Sequence, residues 1–151
     1  MCKGVKTIAI GCDPNAKALK AELSSYLAGL GYTLVDYGSD DPIYANVAFQ
    51  VAQAVATGQL DRGILLCGTG IGMSIAANKV HGAYAALCSD MYSAERAKRS
   101  NNANIITMGA QVIGPELAKN IVRVWLEADF DPNSKSQPKI QRISEYDLEG
   151  R

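Results

Sequence analysis

The stretch Gly63-Ile64-Leu65-Leu66-Cys67-Gly68-Thr69-Gly70-Ile71-Gly72 carries two signals in succession. Gly63 to Cys67 is apolar without alternation, the pattern of a strand buried on both faces of a parallel sheet. Gly68 to Gly72 then places glycine at every other position, and helical spacing takes over from Ile71 to Val80. The same grammar repeats on either side. Strands are predicted at Val5–Cys12, Thr33–Tyr37, Ala83–Cys88 and Asn104–Met108. Helices are predicted at Ala16–Leu30, Tyr44–Ala56, Met91–Arg99 and Pro115–Ala128. Gly31 closes the first helix, Pro115 opens the long one, and Arg96, Lys98 and Arg99 sit where cations suit a helix C-terminus. Strand alternates with helix five times. This predicts an α/β fold: a Rossmann-like three-layer α/β/α sandwich around a five-stranded parallel sheet.

Residues 1–151 read as one domain, without repeat or linker, followed from about residue 131 by a polar tail. A last helix at Lys139–Leu148 is expected to dock on a neighbouring subunit. Lys+Arg and Asp+Glu number 15 each, so the net charge is zero, and no nucleic-acid or membrane partner is expected. Met1 to Lys6 is too short and polar for a signal peptide, and no apolar run would span a bilayer. The four cysteines, Cys2, Cys12, Cys67 and Cys88, form no Cys-x-x-Cys pair, and His81 is the one histidine. Free thiols in a reducing cytoplasm are expected, with no metal site.

On the flavodoxin-like strand order 2-1-3-4-5, the ligand crevice lies between the ends of the first and third strands. That brings Cys12-Asp13 beside Cys67-Gly68. Successive N–H groups of Gly68, Thr69, Gly70, Ile71 and Gly72 would line an anion-binding concavity. Met73 stands where G-x-G-x-x-G requires its third glycine, and the Gly-Lys-Ser/Thr of a P-loop is missing, so dinucleotides and ATP are disfavoured. Cys67 reads either as a base, a thiolate at the loop's edge, or as a small buried hydrophobe. Asp13 reads either as a hydroxyl acceptor or as the turn-former of Asp13-Pro14-Asn15. Cys12 and Cys88 read as packing residues, His81 as an exposed loop residue, and Arg96, Lys98 and Arg99 as a solvated face.

Several segments together are similar to the ribose-5-phosphate isomerase B and galactose-6-phosphate isomerase family. They are Ile10-Gly11-Cys12-Asp13, Gly63 to Gly72, Ile75-Ala76-Ala77-Asn78-Lys79, Asn101-Asn102-Ala103-Asn104, and Val112-Ile113-Gly114 with Leu117-Ala118-Lys119. The resemblance spans nearly the whole chain. It implies aldose–ketose isomerisation of a phosphosugar through a cis-enediolate, with no cofactor. It also implies a homodimer or homotetramer whose active sites are shared between subunits. By position, Cys67 would be the base and Thr69 its neighbour in catalysis. The amides of Gly68 to Gly72 would hold the enediolate oxygen, and Asp13, Ser100 and Asn101 would contact substrate.

The departures concern the rest of the substrate. Pro14 and Ser100 stand where the family usually has histidines, the second of them assigned to ring opening. Gln111 stands where an arginine is frequent, and the Gly-Gly-Arg-His phosphate motif is absent, leaving Lys135 and Lys139 as the nearby cations. Ribose 5-phosphate, the family default, must have its ring opened. A tetrose 4-phosphate cannot form a furanose, because its 4-oxygen carries the phosphate. Tyr92-Ser93-Ala94-Glu95-Arg96 with Ser100-Asn101-Asn102 also resembles the branch acting on erythrose and erythrulose 4-phosphates. The competing reading is a non-catalytic sugar-phosphate-binding module, or an inactive partner subunit of a hetero-oligomer.

Overall fold

The computed structural model describes residues 4–149; Met1, Cys2 and Lys3 of the N-terminal segment lie outside them. Five strands run parallel: β1 (Thr7–Cys12), β2 (Thr33–Asp36), β3 (Arg62–Cys67), β4 (Ala85–Leu87) and β5 (Ile105–Gly109). Six α-helices accompany them: α1 (Lys17–Gly29), α2 (Tyr44–Ala56), α3 (Ile71–Ala77), α4 (Met91–Arg99), α5 (Pro115–Glu127) and α6 (Gln137–Leu148). A 3-10 turn, Pro14–Ala16, links β1 to α1.

The strand order is β2-β1-β3-β5-β4. This corrects the expected 2-1-3-4-5 at the far edge, where the last two strands exchange places. All five residues of β5 are buried, and Ile105, Ile106 and Met108 are fully so, which suits a central strand. β4 has three residues, none of them buried, and suits an edge. Because the chain steps outward to β4 and then back to β5, a right-handed connection carries α4 to the face opposite α3. Accordingly α2 packs on α3, while α1 and α4 both pack on α5.

Side-chain alternation along the central strands divides the core in two. Ile8, Ile10, Ile64, Leu66, Ile106 and Met108 meet Leu23, Leu27, Ile121 and Trp125 under α1 and α5. Ala9, Leu65, Cys67 and Ile105 meet Val47, Val51, Met73 and Ala77 under α2 and α3. Buried Arg62, at the start of β3, lies over the Trp125 ring at 5.1 Å and donates to the Trp125 and Ala128 carbonyls at 2.6 and 3.1 Å. That cation ties the end of α5 to the sheet.

Candidate active site

The carboxyl ends of β1, β3 and β5 are laced together by backbone hydrogen bonds. Asp13 N–H donates to Leu66 O at 3.2 Å, Ala110 N–H to Cys67 O at 2.8 Å, and Gln111 N–H to Gly68 O at 3.0 Å. The loop after β3 is therefore held by its neighbours on both sides. The carboxyl ends of β1 and β3 lie side by side as predicted, with β5 on the other side of β3.

Within the loop, Gly70 has φ +81°, a left-handed conformation that glycine adopts without strain. A β-carbon there would stand 2.8 Å from the backbone carbonyl carbon of Met108 and from Leu87 Cδ1. Thr107 Oγ1 donates to Gly70 O at 2.8 Å and fixes the turn from beneath. Gly70 N–H, turned inward, donates to Cys67 Sγ at 3.0 Å. The sulfur thus accepts a hydrogen bond from a fixed backbone donor. Cys67 is 5% exposed and Thr69 is exposed; Thr69 Oγ1 accepts from Ile71 N–H at 3.3 Å. Ile71 opens α3 and faces outward, and Gly72 follows it.

Asp13 is buried, and its two carboxylate oxygens accept from Asn15 N–H at 3.0 Å and Asn15 Nδ2 at 3.2 Å. Its role in the turn is thus real. A carboxylate has about four acceptor positions, so it retains capacity for a hydroxyl. Cys12 and Cys88 are packed away as expected, and burial pushes both thiols up to about 11.

Two further residues border this cluster. Tyr44, at the start of α2, lies so close that a β-carbon on Gly72 would overlap its ring. The sequence reading of the site passed over Tyr44, because it lies in a different helix and nothing in its local pattern marks it. The Gln111 side chain stands 3.1 Å from the position of a β-carbon on Gly68.

The remaining candidates are elsewhere in the chain. Ser100 caps the C-terminus of α4, and Asn101 follows it. Asn104 then pairs with Gly63, near the start of β3, whereas Cys67 pairs with Gly109 at its end. Four residue steps of strand, roughly 13 Å, separate those levels. Lys135 and Lys139 are exposed and are held toward the same far end. Asp131 N–H donates to Arg99 O, and α6 is anchored on its own chain by Asp147, which accepts from His81 Nδ1 at 3.1 Å, Gly82 N–H at 2.8 Å and the Tyr84 hydroxyl at 2.9 Å. One chain therefore assembles Asp13, Cys67 and the glycine loop at one end of the sheet. It leaves Ser100, Asn101, Lys135 and Lys139 toward the other.

Residues 8–143 match the profile of the ribose/galactose isomerases. The chain belongs to that family. It is 52% identical over 145 residues to a D-erythrulose-4-phosphate isomerase of Pectobacterium atrosepticum, an alignment covering 93% of this chain and 95% of that one. It is 43% identical over 143 residues to ribose-5-phosphate isomerase B of Escherichia coli, covering 93% and 95%. Among solved structures, a ribose 5-phosphate isomerase of Thermotoga maritima superposes with a TM-score of 0.88 at 41% identity, covering 95% of this chain and 99% of that one. Membership in this isomerase family accords with the loop geometry and with the Rossmann-like sheet.

Proposed function

We propose that this protein interconverts a four-carbon aldose phosphate and its ketose, erythrose 4-phosphate and erythrulose 4-phosphate, with Cys67 as the base. The observation that carries the chemistry is the Gly70 N–H aimed at Cys67 Sγ inside the glycine loop. Cys67 takes the proton from C2 of the aldose. The C–H electron pair becomes the C1–C2 double bond, and the former carbonyl oxygen takes up the negative charge of a cis-enediolate. Backbone amides of the glycine loop other than that of Gly70, which is taken by Cys67 Sγ, stabilise that oxygen, where fixed dipoles cost no reorganisation as charge develops. The proton on O2 then passes to O1, and return of the C2 proton to C1 converts C2–O⁻ into the carbonyl of the ketose. In this reading Thr69 and Asp13 orient substrate hydroxyls.

Two things support the four-carbon substrate over ribose 5-phosphate: Ser100 offers no imidazole for opening a ring, and a D-erythrulose-4-phosphate isomerase is 52% identical. Serine or a water could still open a ring, so the pentose is the competing substrate. The split of the site residues between opposite ends of the sheet supports a homodimer or homotetramer in which Ser100, Asn101 and the α6 lysines of one subunit complete the cleft of the next. The buried free thiols Cys12, Cys67 and Cys88 suit a reducing cytoplasm.

The decisive comparison is Cys67→Ala against the wild type on erythrose 4-phosphate and ribose 5-phosphate. The variant should lose at least about a hundredfold in kcat while keeping its circular dichroism spectrum. The wild type should favour the tetrose. Near-normal turnover by Cys67→Ala removes the base assignment, and a clear ribose preference removes the four-carbon reading.

A further inference from the structure

Arg96 has a place in this molecule that a solvated surface charge does not explain. It lines a cavity of about 470 Å³ between the β4 edge, α4 and α6, together with Ser93, Asn101, Ile140 and Ile143. NH1 donates to Ser100 Oγ at 3.2 Å, one helical turn on, and NH2 pairs with Glu95 Oε1 at 2.8 Å. The third donor, Nε–H, is buried and has no partner among the described residues. Glu95 is 41% exposed and its charge is partly screened by water, so it leaves the guanidinium capacity for a second anion. Lys98 and Arg99 add positive charge at the same helix end.

We infer that Arg96, with Ser100 and Asn101, binds the phosphate group of the substrate held by a neighbouring subunit's Cys67 loop. This rests on the proposal above that Ser100 and Asn101 face substrate across a shared site. At neutral pH a guanidinium neither gives nor takes a proton, so it cannot replace an imidazole in ring opening. It can hold a phosphate through two parallel N–H bonds. The side chain is over a third exposed, so turning its terminal torsions to present Nε–H beside a terminal N–H is easy. The chemistry of the substrate fits this position. In a furanose the ring oxygen is the oxygen on C4, and in a tetrose 4-phosphate that same oxygen carries the phosphate. A side chain facing it meets a ring to be opened in the first case and an anion to be bound in the second. Arg96 suits only the second.

The test uses Arg96→Gln and Arg96→Lys in the full chain, read by steady-state kinetics on erythrulose 4-phosphate and by competitive inhibition with inorganic phosphate. Losing a charge-assisted hydrogen-bonding pair should raise KM and the phosphate inhibition constant together, by about ten- to hundredfold in the glutamine variant. The fall in kcat should be smaller, and lysine should recover part of the loss. Arg96→Gln is then mixed with Cys67→Ala after dissociation and reassociation. If Arg96 serves its neighbour's loop, mixed pairs contain one intact site, and activity at low substrate should return to about a quarter of the wild-type value. Unchanged KM and phosphate inhibition in Arg96→Gln overturn the assignment, and mixing without recovery overturns its placement across subunits. Failure of the wild type to isomerise any phosphosugar instead overturns the functional reading beneath it, so the two failures are told apart.

Discussion

Cys67 and Gly70 are linked by a hydrogen bond that only one backbone conformation permits. Replacing Gly70 by alanine would force a side chain into the left-handed region, which costs about 1–3 kcal/mol, and would press a β-carbon against the Met108 backbone. Gly70→Ala should therefore lower the urea midpoint and also cut kcat, because relief of the clash turns the N–H away from sulfur. A midpoint loss with unchanged kcat would separate the turn from the chemistry. At the same scale, burial pushes Cys12 and Cys88 up to about 11. Neither should react with iodoacetamide in the native protein near neutral pH, and peptide mapping after alkylation checks this. Cys67 looked ambiguous in sequence because a buried cysteine and a catalytic one carry the same letter. The N–H three residues on, folded back onto the sulfur, is a contact that a packing cysteine does not require, and it supports the proposed base.

At the scale of elements, two attachments govern how the helices meet the sheet. Arg62 donates to the Trp125 and Ala128 carbonyls and covers the Trp125 ring. Arg62→Ala should destabilise the fold by about 1–3 kcal/mol for each carbonyl left buried and unpaired, read from denaturant melts. The second attachment is Asp147, which fastens α6. Burial pushes its carboxyl up, but donors from Gly82, Tyr84 and His81 outweigh this and hold it below the ordinary carboxylate value of 3.8. A carboxyl lowered in the folded state lends stability above its unfolded pKa and loses it as pH falls through the folded one. Hydrogen exchange in residues 137–148 should thus rise on acidification below about pH 4, ahead of β3 and β5. Asp147→Asn should show the same pattern already at pH 7. Element positions themselves were largely legible: α2 and α4 have the bounds their periodicity predicts, and others shift by a residue or a few. The α6 clamp was not legible, because Asp147 and His81 are 66 residues apart and nothing local pairs them.

For the whole molecule, the outstanding feature is that the residues proposed for one site stand toward the two ends of one sheet. Exposed Ile71, Ile75, Leu87, Met91 and Tyr92 belong to α3, β4 and α4, the elements beside the glycine loop. Their exposure fits an interface on that side. Sedimentation should find a dimer or tetramer. A Tyr92→Glu change, which puts charge on this surface without touching the loop, should weaken association and reduce activity at low protein concentration. Activity restored by raising the concentration would tie assembly to catalysis; a fully active monomer would end the shared-site proposal.

By itself the sequence determined the layered α/β fold, the family and the Cys67 loop. Each of these is written locally: strands as apolar runs, helices as a period, and the loop as glycines at fixed spacing after a strand. Tertiary structure alone decided that β5 lies inside β4, that Tyr44 overlies Gly72, and that Ser100 and Asn101 stand far from the Cys67 of their own chain. Strand order depends on which strands can be buried on both sides, and proximity between distant segments depends on that order. Neither property belongs to any single stretch of residues.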